Sequence, residues 1–107
     1  MQEELKKRGI KFHKHKALHD VCQPDIVILK NKLVIFCDGN FWHANPEWLK
    51  RNNKTKLTKP QEINVQRDKL QNKILKENGW QVLRFWETDI LNNVSLCVDE
   101  IEKNMKD

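Results

Sequence analysis

The fold is decided by the stretch PDIVILKNKLVIFCD, residues 24–38, in which two short apolar runs flank a polar turn. Continuous apolar runs of this length are typical of strands buried on both faces of a sheet. A two-residue turn at Asn31 and Lys32, the commonest hairpin connection, pairs Lys30 with Leu33. In that register Asp25 faces Asp38 directly, with the Cβ atoms roughly 4.5 to 5.5 Å apart.

Two carboxylates placed side by side repel each other, so they require a cation, a shared proton or exposure to solvent. Mg²⁺ fits this requirement because it prefers carboxylate and carbonyl oxygens. A plainer interpretation makes Asp38-Gly39 a turn and Pro24-Asp25 the entrance to a strand. Both interpretations stay open here, since a slip of one residue in the register would separate the carboxylates.

A short helix and a strand are predicted before this hairpin. The segment 2–8 is typical of a helix, closed by Gly9 in the position where a left-handed residue is favoured. The segment 10–15 begins by alternating apolar and basic residues, as a half-buried strand does. After the hairpin, residues 39–59 show no clear period, and we expect a loop with one helical turn near residues 47–50.

Two longer helices and a strand complete the chain. Thr58-Lys-Pro-Gln61 matches a capping box, so a helix is expected to run to about Asn78 and stop at Gly79. The core face predicted for this helix is Ile63, Leu70, Ile74 and Leu75. Residues 80–86 predict a central strand. A closing helix is indicated by the helical spacing of Val94, Cys97, Val98, Ile101 and Met105. This order predicts an α/β fold, a central mixed sheet flanked by helices, over residues 1–107.

Composition narrows the class of protein. The 20 Lys and Arg outnumber the 15 Asp and Glu, and the net charge of +5 favours a polyanionic partner. Three widely spaced cysteines without a C-x-x-C pair suggest neither a disulfide framework nor a thiolate zinc site. No apolar run approaches the roughly 20 residues that span a bilayer. We therefore expect a cytoplasmic protein with no membrane partner.

The segment Gly39-Asn-Phe-Trp-His43 follows the carboxylate pair directly. His43 is suited to proton transfer near neutral pH, although a lone histidine is more often structural. Phe41 and Trp42 either belong to the core or act as a wedge between base pairs, and Trp48 is a candidate to join them. A run without acidic residues then offers phosphate contacts or merely a solvated face. Its basic residues are Lys50, Arg51, Lys54, Lys56 and Lys59.

A polar stripe is predicted on the long helix. Asn64, Asp68 and Gln71 are spaced so that they share one face with Leu75. Asp68 is a candidate to orient the ring of His43 by accepting a hydrogen bond from it, as carboxylates do for catalytic histidines. The alternative is an ordinary surface aspartate.

Taken in order, four segments resemble the very short patch repair (Vsr-type) mismatch endonucleases of the PD-(D/E)XK nuclease superfamily. They are Pro24-Asp25, residues 34–43 (VIFCDGNFWH), residues 64–68 (NVQRD) and residues 79–87 (GWQVLRFWE). Each segment is weak alone, but the ordered set is specific, and the resemblance covers about residues 9–90. It implies a restriction-endonuclease-like fold.

The resemblance also implies a site and a reaction. By this resemblance Asp25 would be the metal-binding carboxylate, and the main-chain carbonyl of Cys37 would be a second ligand for Mg²⁺. His43 would transfer a proton with Asp68 as its partner, while Phe41 and Trp42 would open double-stranded DNA at a mismatch. The implied reaction is Mg²⁺-dependent hydrolysis of one DNA strand. A repair role implies repair-protein partners and a place at the nucleoid, and the oligomeric state stays open.

Three departures from the family pattern leave two alternatives open. Asn40 and Thr88 stand where zinc-ligating cysteines are often found, so we expect no structural zinc. The Lys of the superfamily's acid-x-Lys element is missing. The N-terminal arm and the start of the first helix, with its catalytic-region Glu, are expected to be absent, and Glu3 and Glu4 replace that Glu only loosely. The alternatives are a DNA-binding module that has lost turnover and a structural or protein-binding domain.

Overall fold

A computed structural model of the protein describes residues 1–19 and 22–105. Four strands form one sheet in the order β1-β2-β3-β4, and helices cover both of its faces. The predicted order of elements and the α/β class are confirmed. The elements are α1 (Gln2–Lys7), β1 (His13–Lys14), β2 (Ile26–Ile28), β3 (Leu33–Asp38), α2 (Pro46–Arg51), α3 (Lys59–Glu77), β4 (Gln81–Trp86) and α4 (Glu87–Met105).

The hairpin register differs from the predicted one. β2 and β3 are antiparallel, but Ile28 instead of Lys30 pairs with Leu33, so the register is shifted by two residues. A 3₁₀ turn at Leu29–Asn31 and a left-handed Lys32 (φ 49°) replace the two-residue turn. The carbonyl of Lys32 accepts from the backbone N–H of Gln81 at 2.8 Å, a contact to β4 that the local sequence does not reveal.

This shift removes the direct opposition of Asp25 and Asp38 that the sequence predicted. The register places Phe36 level with Asp25, one residue before the Ile26–Ile35 pair, so Asp38 lies two residues further along β3. An even shift preserves the face to which each side chain points, because side chains alternate with a period of two. The two carboxylates therefore still line one cleft.

The apolar runs of the hairpin are buried on both faces, as predicted, except for Leu29, which is 45% exposed. One face packs against α1 and α4, and the other packs against α3. The predicted inward residues of the closing helix, Cys97, Val98 and Ile101, are buried, although α4 is broken at Asn93. The first core comprises Leu5, Ile26, Ile28, Leu33, Ile35, Val98 and Ile101, and the second comprises Leu18, Val27, Val34, Phe36, Leu75 and Trp80.

Strand β4 is not central, which corrects the prediction for residues 80–86. It pairs in parallel with β3, from Leu33–Gln81 to Asp38–Trp86, and forms one edge of the sheet within the described residues. Its side chains from Val82 to Trp86 are half-buried, as suits an edge strand covered by helices. The strand predicted at 10–15 shrinks to His13–Lys14 at the opposite edge.

Helix α3 turns a polar stripe inward. The capping box at Thr58 and Gln61 forms as predicted, and Gly79 (φ 84°) follows the helix end. Of the predicted core face only Leu75 is fully buried, whereas Ile63 and Leu70 are 47% and 56% exposed. The stripe of Asn64, Asp68 and Gln71 instead contacts the loop after β3 and Arg84 of β4. Polar side chains thus occupy the space between α3 and the end of β3.

No helix within residues 1–19 and 22–105 combines the length and the apolar character needed to cross a membrane. The helical turn expected in the 39–59 loop is α2, which begins at Pro46 after the cap residue Asn45.

Candidate active site

His43 and Asp68 form the closest polar contact of the candidate site. His43 lies in the loop after β3, and its Nδ1 is 2.6 Å from Oδ2 of Asp68 on the inward stripe of α3. Both side chains are half-buried. The structure therefore brings together the histidine and the aspartate that the sequence proposed as partners.

Asp38 lies at the end of β3, beside this pair. Its Oδ1 is 3.9 Å from His43 Nδ1, and the three side chains offer ligand atoms that all lie within 4.8 Å of one another. Burial raises the pKa of the Asp38 carboxyl, Arg84 and His43 oppose that change, and the negative charge of Asp68 adds to it. Three ionisable side chains therefore lie close together in a partly buried space.

Arg84 of β4 is a member of the site that the sequence analysis missed. Its Nη1 donates to Oδ1 and Oδ2 of Asp38 at 3.1 and 3.3 Å, and lies 3.4 Å from Oδ1 of Asp68. Its guanidinium carbon is 4.0 Å from the centre of the Phe36 ring. A lone charge within the strand VLRFW was the available signal, because such a residue is buried only when it is paired.

Asp25 lies just before β2 and is held against β3. The backbone N–H of Cys37 donates to its Oδ2 at 2.7 Å, which places the side chain next to the main chain of Cys37. Burial, followed by the charge of Asp25, raises the pKa of the Cys37 thiol to about 11. Asp25 is not part of the compact group of Asp38, His43 and Asp68 found among the described residues.

Two clefts meet at Asp25. One, of about 330 Å³, is also lined by Asp38, His43, Asp68 and Arg84. The other, of about 600 Å³, is lined by Glu3 and Glu87. Of the two glutamates considered in the first helix, Glu4 is engaged by Arg8 at 2.9 Å, so Glu3 is the one that shares a cleft with Asp25. The carboxylate of Asp25 is an oxygen donor of the kind that Mg²⁺ prefers, and it lies at the main chain of Cys37.

The loop after β3 exposes aromatic side chains. Phe41 and Trp42 are 38% and 56% exposed, so they do not fill the core. Phe41 packs edge-on against Trp42 and Trp48, with ring centres 5.0 and 5.5 Å away. The inward side chains of α3 fix the backbone of this loop, because Gln61 and Asn64 donate to the carbonyls of Phe41 and Trp42 at 2.8 and 3.0 Å.

The basic run extends from this aromatic loop to the start of α3. Its five cationic side chains are all exposed, which leaves them accessible to a polyanion. They are the predicted contacts Lys50, Arg51, Lys54, Lys56 and Lys59.

Asn40 and Thr88, at the two positions where the family often has zinc ligands, are neutral side chains. The Oδ1 of buried Asn40 accepts from Asn45 Nδ2 at 3.0 Å and from Thr88 Oγ1 at 3.5 Å. The backbone N–H of Asn40 donates to Glu87 at 2.9 Å. Zinc sites in proteins use thiolates, imidazoles and carboxylates, so these amides and this hydroxyl do not fit a structural zinc. Hydrogen bonds join the loop to the start of α4 here.

The chain is similar to a known protein family and to named relatives. The sequence model of the family described as "DNA mismatch endonuclease Vsr" matches residues 1–50. The predicted likeness to the Vsr family is confirmed. The chain is 33% identical over 90 residues to "Type II nicking enzyme V.NmeDIP" of Neisseria meningitidis serogroup C, covering 79% of this chain and 60% of that relative. It is 38% identical over 86 residues to "Type II nicking enzyme V.HpaIIP" of Haemophilus parainfluenzae, covering 75% and 60%.

The chain thus spans about 60% of the length of these two relatives. Among solved structures it resembles the "Homing Endonuclease I-Bth0305I Catalytic Domain", with a TM-score of 0.68 at 23% identity, covering 96% of this chain and 86% of that one. At this identity the likeness shows a shared fold. The restriction-endonuclease-like class predicted from the sequence is confirmed.

Proposed function

We propose that this Vsr-like domain is a Mg²⁺-dependent DNA endonuclease that hydrolyses one strand of a duplex. The observation that carries the proposal is the single cleft lined by Asp25, Asp38, His43 and Asp68. The names of the relatives, which are nicking enzymes, support the same class of reaction.

The residues of the cleft divide the chemistry between them. Asp25 and the main-chain carbonyl of Cys37 would hold Mg²⁺, which supplies a Lewis acid for the scissile phosphate and lowers the pKa of a water molecule. Asp68 fixes Nδ1 of His43, so Nε2 is the ring nitrogen that exchanges a proton with the DNA. Asp68 also stabilises the charged imidazole that forms in this exchange.

The surface around the cleft suits a duplex. The exposed rings of Phe41 and Trp42 serve as a wedge between neighbouring bases, and Trp48 packs edge-on against Phe41. The five basic side chains from Lys50 to Lys59 contact phosphates and position the duplex without selecting its sequence. A wedge opens a mismatched pair at lower cost than a matched pair, so mismatched DNA is the proposed substrate. A role in mismatch repair would place the protein at the nucleoid with repair-protein partners.

Cleavage of three DNA substrates tests this proposal. Supercoiled plasmid, a matched duplex and a duplex with one T:G mismatch are each incubated with the protein in Mg²⁺ or in EDTA. We expect nicks in Mg²⁺ alone, formed fastest at the mismatch. Salt-sensitive binding without cleavage in Mg²⁺ or Mn²⁺ would instead favour the binding module, and the absence of salt-sensitive binding would favour a structural or protein-binding domain.

A further inference from the structure

The group formed by Asp38, His43 and Asp68 has the composition of a metal site, but a cation of the protein already occupies it. Nη1 of Arg84 lies 3.1 and 3.3 Å from the two oxygens of Asp38 and 3.4 Å from Oδ1 of Asp68. The remaining oxygen, Oδ2 of Asp68, is 2.6 Å from His43 Nδ1. Every carboxylate oxygen of the group therefore already contacts a nitrogen.

Arg84 is fixed in this place from three sides. Its Nε donates to Oδ1 of Asn72 at 2.8 Å, and its Nη2 donates to Oε1 of Gln71 at 3.3 Å. The Phe36 ring lies below the guanidinium, 4.0 Å from its carbon. Arginine keeps its charge at every pH at which a protein is folded, and its planar fork loses little freedom when held this way. The guanidinium is thus a permanent part of the group.

We propose that Arg84 is a positioning residue that acts as the resident cation of this group and keeps a divalent ion out of it. The two carboxylates and the guanidinium leave a net charge of −1 when His43 is neutral, and a divalent ion would have to approach within a few ångströms of the guanidinium. Asp38, His43 and Asp68 are thereby reserved for proton transfer, and Mg²⁺ is confined to Asp25. The sequence predicts Asp38 as a metal ligand together with Asp25. In this proposal Asp38 does not bind the metal, because Arg84 contacts both of its oxygens.

The inference rests on the proposed function only in placing the catalytic ion at Asp25, and it can be tested without DNA. Mn²⁺ bound per chain is counted by electron paramagnetic resonance for the wild type and for Arg84→Met, Arg84→Lys and Arg67→Met. Arg67 is the matched control, because it is an exposed arginine that lines the same cleft. Circular dichroism confirms that each variant is folded.

We expect one ion in the wild type, in Arg84→Lys and in Arg67→Met, and two in Arg84→Met. Adding Asp68→Asn to Arg84→Met should remove the second ion, and Asp25→Asn in the wild type should remove the first. A wild type that binds no ion would count against the proposed function, yet Arg84→Met should still gain one. The inference is overturned if folded Arg84→Met gains no ion, or if the wild type binds an ion that Asp68→Asn releases.

Discussion

His43 Nδ1 lies 2.6 Å from Asp68 Oδ2, so a carboxylate 25 residues further along the chain fixes the orientation of the imidazole. Replacing His43 by Ala should lower kcat by about 10²–10⁴-fold, the usual contribution of general acid–base catalysis. Asp68→Asn keeps the shape of the partner but removes the charge that stabilises the protonated ring, and we expect a loss of up to about 10⁴-fold. Single-turnover cleavage measures both. Equal rates for Asp68→Asn and the wild type would contradict the pairing.

The exposed aromatic pair should act on the DNA and leave the protein fold unchanged. Trp42→Ala and Phe41→Ala should each weaken duplex binding by about 1–3 kcal/mol, the usual value of stacking a base on an aromatic ring. A 2-aminopurine base next to a mismatch should brighten when the wild type unstacks it, and stay dark with Trp42→Ala. Leu96→Ala, another exposed apolar side chain, is the control and should change neither signal. Unstacking that survives the loss of both rings would rule out the wedge.

The basic run should determine the salt dependence of binding. Each phosphate contact contributes about 0.9 to the slope of log K against log salt. Replacing Lys50, Arg51 and Lys54 together by Ala should therefore reduce the slope by up to about 3. Lys103→Ala removes an exposed charge from α4 and serves as the control. An unchanged slope in the triple variant would show that these side chains are only a solvated face.

Gln61 should contribute to stability because its buried side chain forms hydrogen bonds both to the capping box and to the aromatic loop. It is 2% exposed, accepts from the backbone N–H of Thr58 at 2.8 Å and donates to the carbonyl of Phe41 at 2.8 Å. Gln61→Ala should lower the free energy of unfolding by about 2 to 3 kcal/mol, through lost hydrogen bonds and unsatisfied partners. Gln66→Ala, on the exposed face of the same helix, should cost less than about 0.5 kcal/mol. Urea unfolding of both variants compares them, and equal values would contradict this role.

The local features of the fold could be predicted because local chemistry determines them. The capping box at Thr58 requires only residues that are three positions apart, and Gly79 supplies the left-handed residue after α3. The hairpin register could not be predicted, since Lys32 takes its conformation while contacting β4 and the end of α3. Tertiary contacts of this kind leave no local pattern in a single sequence.

The site likewise combines residues that local spacing predicts with residues that only tertiary contacts bring together. Asp68 was predictable because helical spacing puts it on one stripe with Asn64 and Gln71. Hydrophobic spacing favoured Ile63 and Leu70 as the inward face, yet polar contacts to the aromatic loop and to Arg84 determine how α3 faces the sheet. Arg84 itself lies between two strands and a helix that are distant in sequence, so its partners emerge only in three dimensions.

The most direct test of the central claim is the rate at which Asp25→Asn nicks supercoiled DNA in Mg²⁺. This substitution keeps the shape of the side chain and removes the charge that would hold the ion, while Asp89→Asn makes the same change at an exposed aspartate of α4 and serves as the control. We predict metal-dependent nicking by the wild type and by Asp89→Asn, and none by folded Asp25→Asn. Nicking by Asp25→Asn at the wild-type rate would contradict the assignment of the metal to Asp25.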